Sequence, residues 1–389
     1  MKNFAVFVLT AFFAVSCSHG AMDPVAPVSA STLSDVARIL SRLPLEQEHL
    51  YEVYDAVGAS SGNGYDEEYM MCDLFASPGS GVGDGHTESK SRSYSRPIRD
   101  LFADYLSLSL ATRSGAAGVE EYIGALSASD VQIYWPYSED WDGKTFPIIT
   151  YDPGYGAETN IGYVLEYGPG GAEVVDSVIV DEKLAMERPV WVINRNDDAA
   201  FTPLDMFIDG SAENGPEYRP AVSIVGDDED EGDGRMLLVK SLQMLRNYDS
   251  WFGGASEFFI KCGAVDGFNA STDEELRLYT PSVTDFMVVV KRRQLGKTIP
   301  LDALLLTSLT PQMENIAFLI IEDDGGKTTS WKCSAVVKYN SKSYGFEINI
   351  PYKDRDDIVW RGQLSSSFFE GVDEVSGRFG DVVVTFALR

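Results

Sequence analysis

The spacing of apolar residues divides the chain into a helical part and an extended part. In residues 32–127 apolar side chains recur every three or four positions, the period of a helix with one buried face. Val36, Ile39, Leu40 and Leu43 share such a face, with Ser34 and Asp35 placed to cap it and Pro44 to end it. Leu50, Val53, Tyr54 and Val57 predict a second helix closed by Gly58. Tyr65 to Phe75 predicts a third, Ile98, Leu101, Phe102 and Tyr105 a fourth, and Val119 to Leu126 a fifth. The Gly- and Ser-rich stretch from Gly79 to Pro97 has no period and predicts a loop.

After Ser129 the pattern changes to short extended runs between turns. Val131–Tyr134, Phe146–Thr150, Gly162–Tyr167, Val174–Val180 and Val190–Asn194 predict strands, with turns at Pro153-Gly154 and Pro169-Gly170-Gly171. Residues 227–234 carry six carboxylates and no apolar side chain, the composition of a solvated acidic linker. From residue 235 to 389 only strands are expected. Tyr344, Phe346, Ile348 and Ile350 alternate onto one face, as do Val382, Val384, Phe386 and Leu388, while Phe286–Val290 and Ile316–Ile321 are continuous apolar runs. The expected fold class is therefore multidomain α+β: a helical N-terminal region at 32–127, a mixed β-rich middle at 128–226, and a C-terminal antiparallel β-sandwich at 235–389.

The first residues have a different character. Lys2 precedes an apolar stretch from Phe4 to Val15 broken only by Thr10, and Ser16 is small. Twelve residues suit the ~7–15 of a secretory signal and fall short of the ~20 that span a bilayer. Residues 1–16 are expected to be a signal peptide, and no later run is long enough to predict a spanning helix. Ala14-Val15-Ser16-Cys17 resembles the bacterial lipobox, with Ala where Leu is usual. The resemblance implies lipidation of Cys17, with 17–31 as a small, polar, Pro-containing tether and the lipid bilayer as a partner.

Charge and composition narrow the function. A net charge of −29 repels phosphate backbones, so nucleic acid is not an expected partner. After Cys17 come Cys72, Cys262 and Cys333, too few for a disulfide-stapled scaffold. Cys262 and Cys333 lie in strand-like runs and are the pair expected to be able to bridge. His19, His49 and His86 are the three histidines, on the tether, a predicted helix and a predicted loop. None follows residue 86, so the β-rich part offers no imidazole for a Ser–His–Asp or Cys–His site, nor for a His-built zinc site. Gly58-Ala59-Ser60-Ser61-Gly62 matches G-x-S-x-G but follows a predicted helix, and reads as a helix end. Gly325-Gly326-Lys327-Thr328 lacks the first Gly of a phosphate loop, because Ile321 stands there, and reads as a turn.

Carboxylates and aromatics remain. Asp140 and Asp142, beside Gly143, are spaced as in many calcium loops, and Asn196, Asp197 and Asp198 follow a strand with hard oxygen donors. These five are the candidate ligands for calcium, the one cofactor considered. Trp135, Tyr137 and Trp141 crowd the same short region, and aromatics beside carboxylates are what sugar- or peptide-binding faces use.

Tyr134-Trp-Pro-Tyr-Ser-Glu-Asp-Trp-Asp-Gly143, Arg188-Pro-Val-Trp-Val-Ile-Asn-Arg-Asn-Asp-Asp198 and Asp356-Asp-Ile-Val-Trp-Arg-Gly362 resemble a group of uncharacterised Bacteroides-type cell-envelope lipoproteins. The resemblance implies an outer-membrane lipoprotein and no particular activity. Ser18-His19-Gly20-Ala21 stands where surface-bound lipoproteins of such bacteria often carry acidic residues. The leading expectation is a non-enzymatic, lipid-anchored envelope protein that binds a glycan or protein partner. The second is a carboxylate-based, calcium-dependent hydrolase acting on glycans. Lipidation has a direct check: Cys17→Ala is expected to release soluble protein, and mass spectrometry of the wild type is expected to find a diacylated residue 17 at the mature N-terminus.

Overall fold

The computed structural model describes residues 30–76, 94–110, 115–196, 201–204 and 234–389. The expected signal peptide, Cys17, most of the tether, His86, Asp197, Asp198 and nearly all of the acidic linker lie outside the described residues. The chain opens with α1 (Ala30–Leu40), α2 (Gln47–Gly62), β1 (Glu68–Met70), α3 (Met71–Phe75), α4 (Ile98–Leu110) and α5 (Gly115–Ser127). Then come β2 (Val131–Tyr134), β3 (Ile148–Tyr151), β4 (Asn160–Gly168), β5 (Gly171–Val180), α6 (Glu182–Glu187) and β6 (Val190–Arg195).

Two elements differ from their expected form. α2 does not stop at Gly58, which lies on the solvent face, but runs to Gly62, where the Asn63 amide bonds Ala59 O and Ser60 O. The G-x-S-x-G segment is thus the last turn of the helix, the helix end expected of it, with Ser60 buried against Glu68. The helix expected over Tyr65–Phe75 is a strand followed by one helical turn. Glu68, Tyr69 and Met70 pair with Tyr134, Ile133 and Gln132, so a non-local ladder overrides the local period.

The six strands form one sheet in the order β1-β2-β6-β3-β4-β5, with β3 and β6 parallel and the other pairs antiparallel. Helices α1–α5 cover one face, and α6 packs on the other through Ala185. Val36, Leu40, Leu50, Val53, Leu101 and Phe102 share a core with Ile133, Ile149, Trp191 and Ile193. The helical region and the mixed region are therefore one α/β layer pair. Among the described residues β5 is the last strand of the sheet; its Ala172 amide bonds Leu45 O, and Val174, Val175 and Ile179 are exposed with Glu173 and Asp176 among them.

The C-terminal part is the expected antiparallel sandwich. One sheet is β10-β7-β16-β15 and the other β13-β12-β11-β8-β9, with β14 also paired to β11. The strands are β7 (Arg235–Met244), β8 (Ser256–Ala264), β9 (Ser282–Val290), β10 (Thr298–Leu309), β11 (Met313–Glu322), β12 (Thr328–Tyr339), β13 (Lys342–Lys353), β14 (Asp357–Ser365), β15 (Glu374–Phe379) and β16 (Val382–Leu388). Leu237, Val239, Phe258, Ile260, Phe318, Ile320, Val384 and Phe386 fill the space between the sheets. The chain's last strand is stitched between β7 and β15.

Cys262 and Cys333 are separate thiols, without the bridge expected of them. β8 turns Gly263 towards the β12–β13 hairpin, since a Cβ there would meet two Ile348 side-chain carbons at 3.1 Å. Alternation sends Cys262 to the other face of β8, while Cys333 lies opposite Ile348 in the hairpin register.

The second face of the α/β sheet is covered by the sandwich. Trp251 and Phe252, in the loop between β7 and β8, pack on Tyr134, Ile148, Val164, Val190 and Val192. Asn194 Nδ2 donates to Phe252 O at 3.0 Å and Gly253 O at 2.6 Å, and Trp251 Nε1 donates to Glu158 O at 2.9 Å. Arg292 reaches Glu182 at 2.6 Å, and Lys291 bonds Ser61.

Glu52, in α2, is 6% exposed, and burial pushes its carboxyl up to about 7 although the Ile98 amide donates to it at 2.8 Å. The unfolded chain releases this proton near the ordinary value, so from there to about pH 7 the folded state alone holds it. Stability from this group therefore falls as pH rises through that window and levels off above it. Glu52→Gln is expected to match the wild type near pH 4.5 and to exceed it at pH 8 by up to about 3 kcal/mol in denaturant unfolding.

Candidate binding cleft

Sheet order sets where the candidate residues meet. β2 ends at Tyr134 opposite Val192, near the start of β6, and β3 begins at Ile148 beside Val190. The segment between β2 and β3 and the segment from α6 into β6 therefore emerge at the same end of the sheet. Between them lies a cleft of about 430 Å³. Trp135, Tyr137, Asp140, Trp141, Asp142 and Thr145 form one wall, and Ala185, Met186, Glu187, Arg188 and Pro189 the other.

The aromatic wall rests on helix α2. Trp141 is half-buried, with ring centroids 5.2 Å from Tyr51, 5.3 Å from Tyr54 and 5.2 Å from Trp135. Its indole Nε1 donates to Thr145 O at 2.8 Å. Trp135 is wholly buried, edge-on to Trp191, and belongs to the core beneath the cleft, not to an exposed aromatic face. Tyr137 is held at φ 60°, the left-handed region that costs a non-glycine residue of order 1–3 kcal/mol. Its hydroxyl donates to Glu182 Oε1 at 2.9 Å, and the same carboxylate receives Arg292. Tyr137 is thereby pinned across the mouth of the cleft.

The acidic residues divide by role. Asp142 accepts hydrogen bonds from the Thr145 amide at 2.7 Å, the Lys144 amide at 2.9 Å and the Thr145 hydroxyl at 2.8 Å. These bonds hold its carboxyl below the usual range and close the turn through Gly143, at φ 77°. The Gly143 carbonyl accepts from Gln47 Nε2 and Tyr51 Oη, which docks the turn on α2. Asp140 is exposed at the end of a single 3₁₀ turn, Ser138–Asp140. On the other wall Met186 is exposed and Arg188 half-exposed.

Within the expected calcium cluster Asn196 does not meet Asp140 and Asp142, and Asp197 and Asp198 lie outside the described residues. The Asn196 amide bonds Asp130 O at the start of β2, whereas Asp140 and Asp142 follow its end. At about 3.3 Å per residue, β2 alone separates them by roughly 13 Å. Asn196 is buried, its Nδ2 donating to Glu68 Oε2 at 2.7 Å and Gln132 Oε1 at 3.0 Å. His49 is also structural: its Nδ1 accepts from the Glu46 amide at 2.8 Å, and Nε2 lies 2.7 Å from Arg96 O.

The residues missed in the sequence are those of the second wall. Met186 and Glu187 end a six-residue helix that carries no period or motif, and Arg188, its cap, stood out only as the head of the segment running into β6. Only the parallel pairing of β3 with β6 brings them beside Trp141. The cleft thus joins an indole, a phenol, a thioether, a guanidinium and an exposed carboxylate. Its volume falls in the ~300–1,000 Å³ range of small-ligand sites.

No protein-family model matches the chain, and no curated protein matches it.

Removing the turn should loosen this wall selectively. Asp142→Ala is expected to red-shift tryptophan emission and speed amide exchange at residues 143–145, with the global unfolding midpoint little changed.

Proposed function

We propose that the chain is an exported envelope lipoprotein, held at the outer membrane through lipid on Cys17, that binds a glycan in the cleft between Trp141 and Arg188. The single observation that carries the binding reading is the pairing of a half-buried indole with a guanidinium and an exposed carboxylate across a cleft of small-ligand size. A pyranose lays its C–H face on an aromatic ring, while its hydroxyls accept from guanidinium N–H groups and donate to a carboxylate. Trp141 is immobilised by three aromatic neighbours and its own Nε1 bond, so little side-chain entropy is lost when a ring stacks on it.

Binding is favoured over hydrolysis by the state of Asp142. Glycoside cleavage uses two carboxyls, one of them protonated, facing each other across the bond at roughly 5–10 Å. Asp142 is held ionised by three donors of its own turn and serves the loop. The attachment reading rests on the N-terminal sequence. Among the described residues no helix is long and apolar enough to cross a membrane.

The test is isothermal titration calorimetry of the mature chain against a panel of neutral and anionic oligosaccharides. At least one is expected to bind, and Trp141→Phe and Arg188→Ala are each expected to weaken it tenfold or more while leaving the unfolding midpoint within a few degrees. Absence of heat across the panel at millimolar ligand, or variants that bind like the wild type, overturns the reading.

A further inference from the structure

The charge of the cleft sets a first limit on its ligand. Among the residues that line it, Asp140, Asp142 and Glu187 oppose the single guanidinium of Arg188. Asp142 is held ionised by the donors of its own turn, and all three carboxylates are exposed. The chain around them has a net charge of −29. Such a cleft repels a uronate or a sulfated sugar and admits a neutral one.

A second limit is apolar. Helix α6 is anchored through Ala185, which is buried in the core between the sheet and the sandwich. The next residue, Met186, is 56% exposed on the wall opposite Trp141. A plain hexose gives its C–H face to one aromatic ring and presents hydroxyls elsewhere, so on Trp141 it leaves the thioether wet. A ligand with a small apolar substituent covers it, and the flexible thioether adapts to such a group. The third limit is a free donor and a free acceptor on opposite walls. Among the described residues Arg188 and Asp140 make no ion pair and no side-chain hydrogen bond, so both are open to a ligand.

An acetamido group meets all three limits. It carries no charge and ends in a methyl group, and its N–H and C=O point in opposite directions because the amide is planar and trans. We propose that the cleft recognises a neutral glycan through an N-acetylated hexosamine. The sugar ring stacks on Trp141 and the methyl lies against Met186. The amide N–H donates to Asp140, and the Arg188 guanidinium donates to the amide carbonyl. This recognition rests on the glycan reading above, which it narrows to one class of sugar. A hydroxyl in place of the acetamido group loses the methyl contact and one of the two hydrogen-bonding ends.

The experiment titrates the mature chain, labelled at its tryptophan indoles and methionine methyls, with five methyl glycosides followed by NMR. Two pairs differ only at C2: N-acetylglucosamine against glucose, and N-acetylgalactosamine against galactose. The fifth sugar is glucuronate. Trp141→Phe and Met186→Gln assign the two signals that report the cleft. At least one acetylated sugar is expected to bind about tenfold or more tightly than its hydroxyl partner, the scale of a small apolar group in a pocket. Its acetamido methyl is expected to show a nuclear Overhauser effect to the Met186 methyl, and glucuronate to bind more weakly than either neutral pair. Met186→Gln, at an exposed position, is expected to remove most of the preference and to leave affinity for the hydroxyl partner within about twofold. Acetylated and hydroxyl partners that bind alike, a preference that survives Met186→Gln, or tighter binding of glucuronate each overturn the proposal. The glycan reading still stands in those cases if Trp141→Phe weakens binding. Silence from all five sugars while an oligosaccharide of the panel above binds also overturns this proposal alone, whereas silence from both sets overturns the two together.

Discussion

The architecture turns on one constraint: a six-stranded sheet with its five N-terminal helices on one face leaves a second apolar face that must be removed from water. Tyr134, Ile148, Val164, Val190 and Val192 line that face, and α6 is too short to cover it. Trp251 and Phe252 complete the cover from the sandwich, their rings tilted 34° with centroids 3.9 Å apart. Burying a loop there obliges its backbone and indole to find partners. Asn194 takes two of its carbonyls, Asp66 takes the Ala255 amide, and the Glu158 carbonyl takes the Trp251 indole. An apolar plug ringed by buried polar contacts thus makes the two halves one structure. Asp66 opens a run of three carboxylates, Asp66-Glu67-Glu68, at 4%, 4% and 2% exposure, each bonded to a different neighbour: the plug loop, the Tyr137–Ser138 turn, and Asn196 with Ser60.

The same seam shapes the cleft. Glu67 accepts hydrogen bonds from the Tyr137 amide and the Ser138 hydroxyl, both at 3.4 Å, and burial lifts its carboxyl to about 7. Glu182 receives Tyr137 from one side and Arg292 from the other, and Arg293 pairs with Glu139. The strained Tyr137 is therefore fixed by groups that also join the sandwich to the α/β layer. The shape of the cleft mouth depends on contacts made by the domain that does not line it.

How much of this was legible in the sequence follows from the range of each interaction. β2 and β16 run over the residues their apolar patterns marked, because burial on a sheet face is a local signal. β1 was not legible: three residues have no period, and only the edge of β2 gives them a partner. Gly58 misled because it sits on the exposed side of α2, where a glycine weakens a helix without ending it. At the cleft, Trp141, Tyr137, Asp140 and Asp142 were found by local crowding, but crowding could not separate the buried Trp135 from the half-buried Trp141. Met186 and Glu187 were invisible as site residues, and Arg188 stood out only as the head of a strand segment, because strand order, not sequence proximity, assembles that wall.

The edge formed by β5 bears on how neighbouring copies meet when they are crowded. Beyond Ala172, which bonds Leu45 O, no described strand pairs with it, and an edge with exposed Val174, Val175 and Ile179 is a template for another strand. Glu173 and Asp176 sit among those residues, and Glu166 lies directly across from Glu173 on β4. Two such edges aligning would stack carboxylates from both molecules along a single seam. This strip acts as a stand-off between identical surfaces. Acidity that merely aids solubility elsewhere on this chain is here set where it keeps a sheet from growing from one molecule into the next.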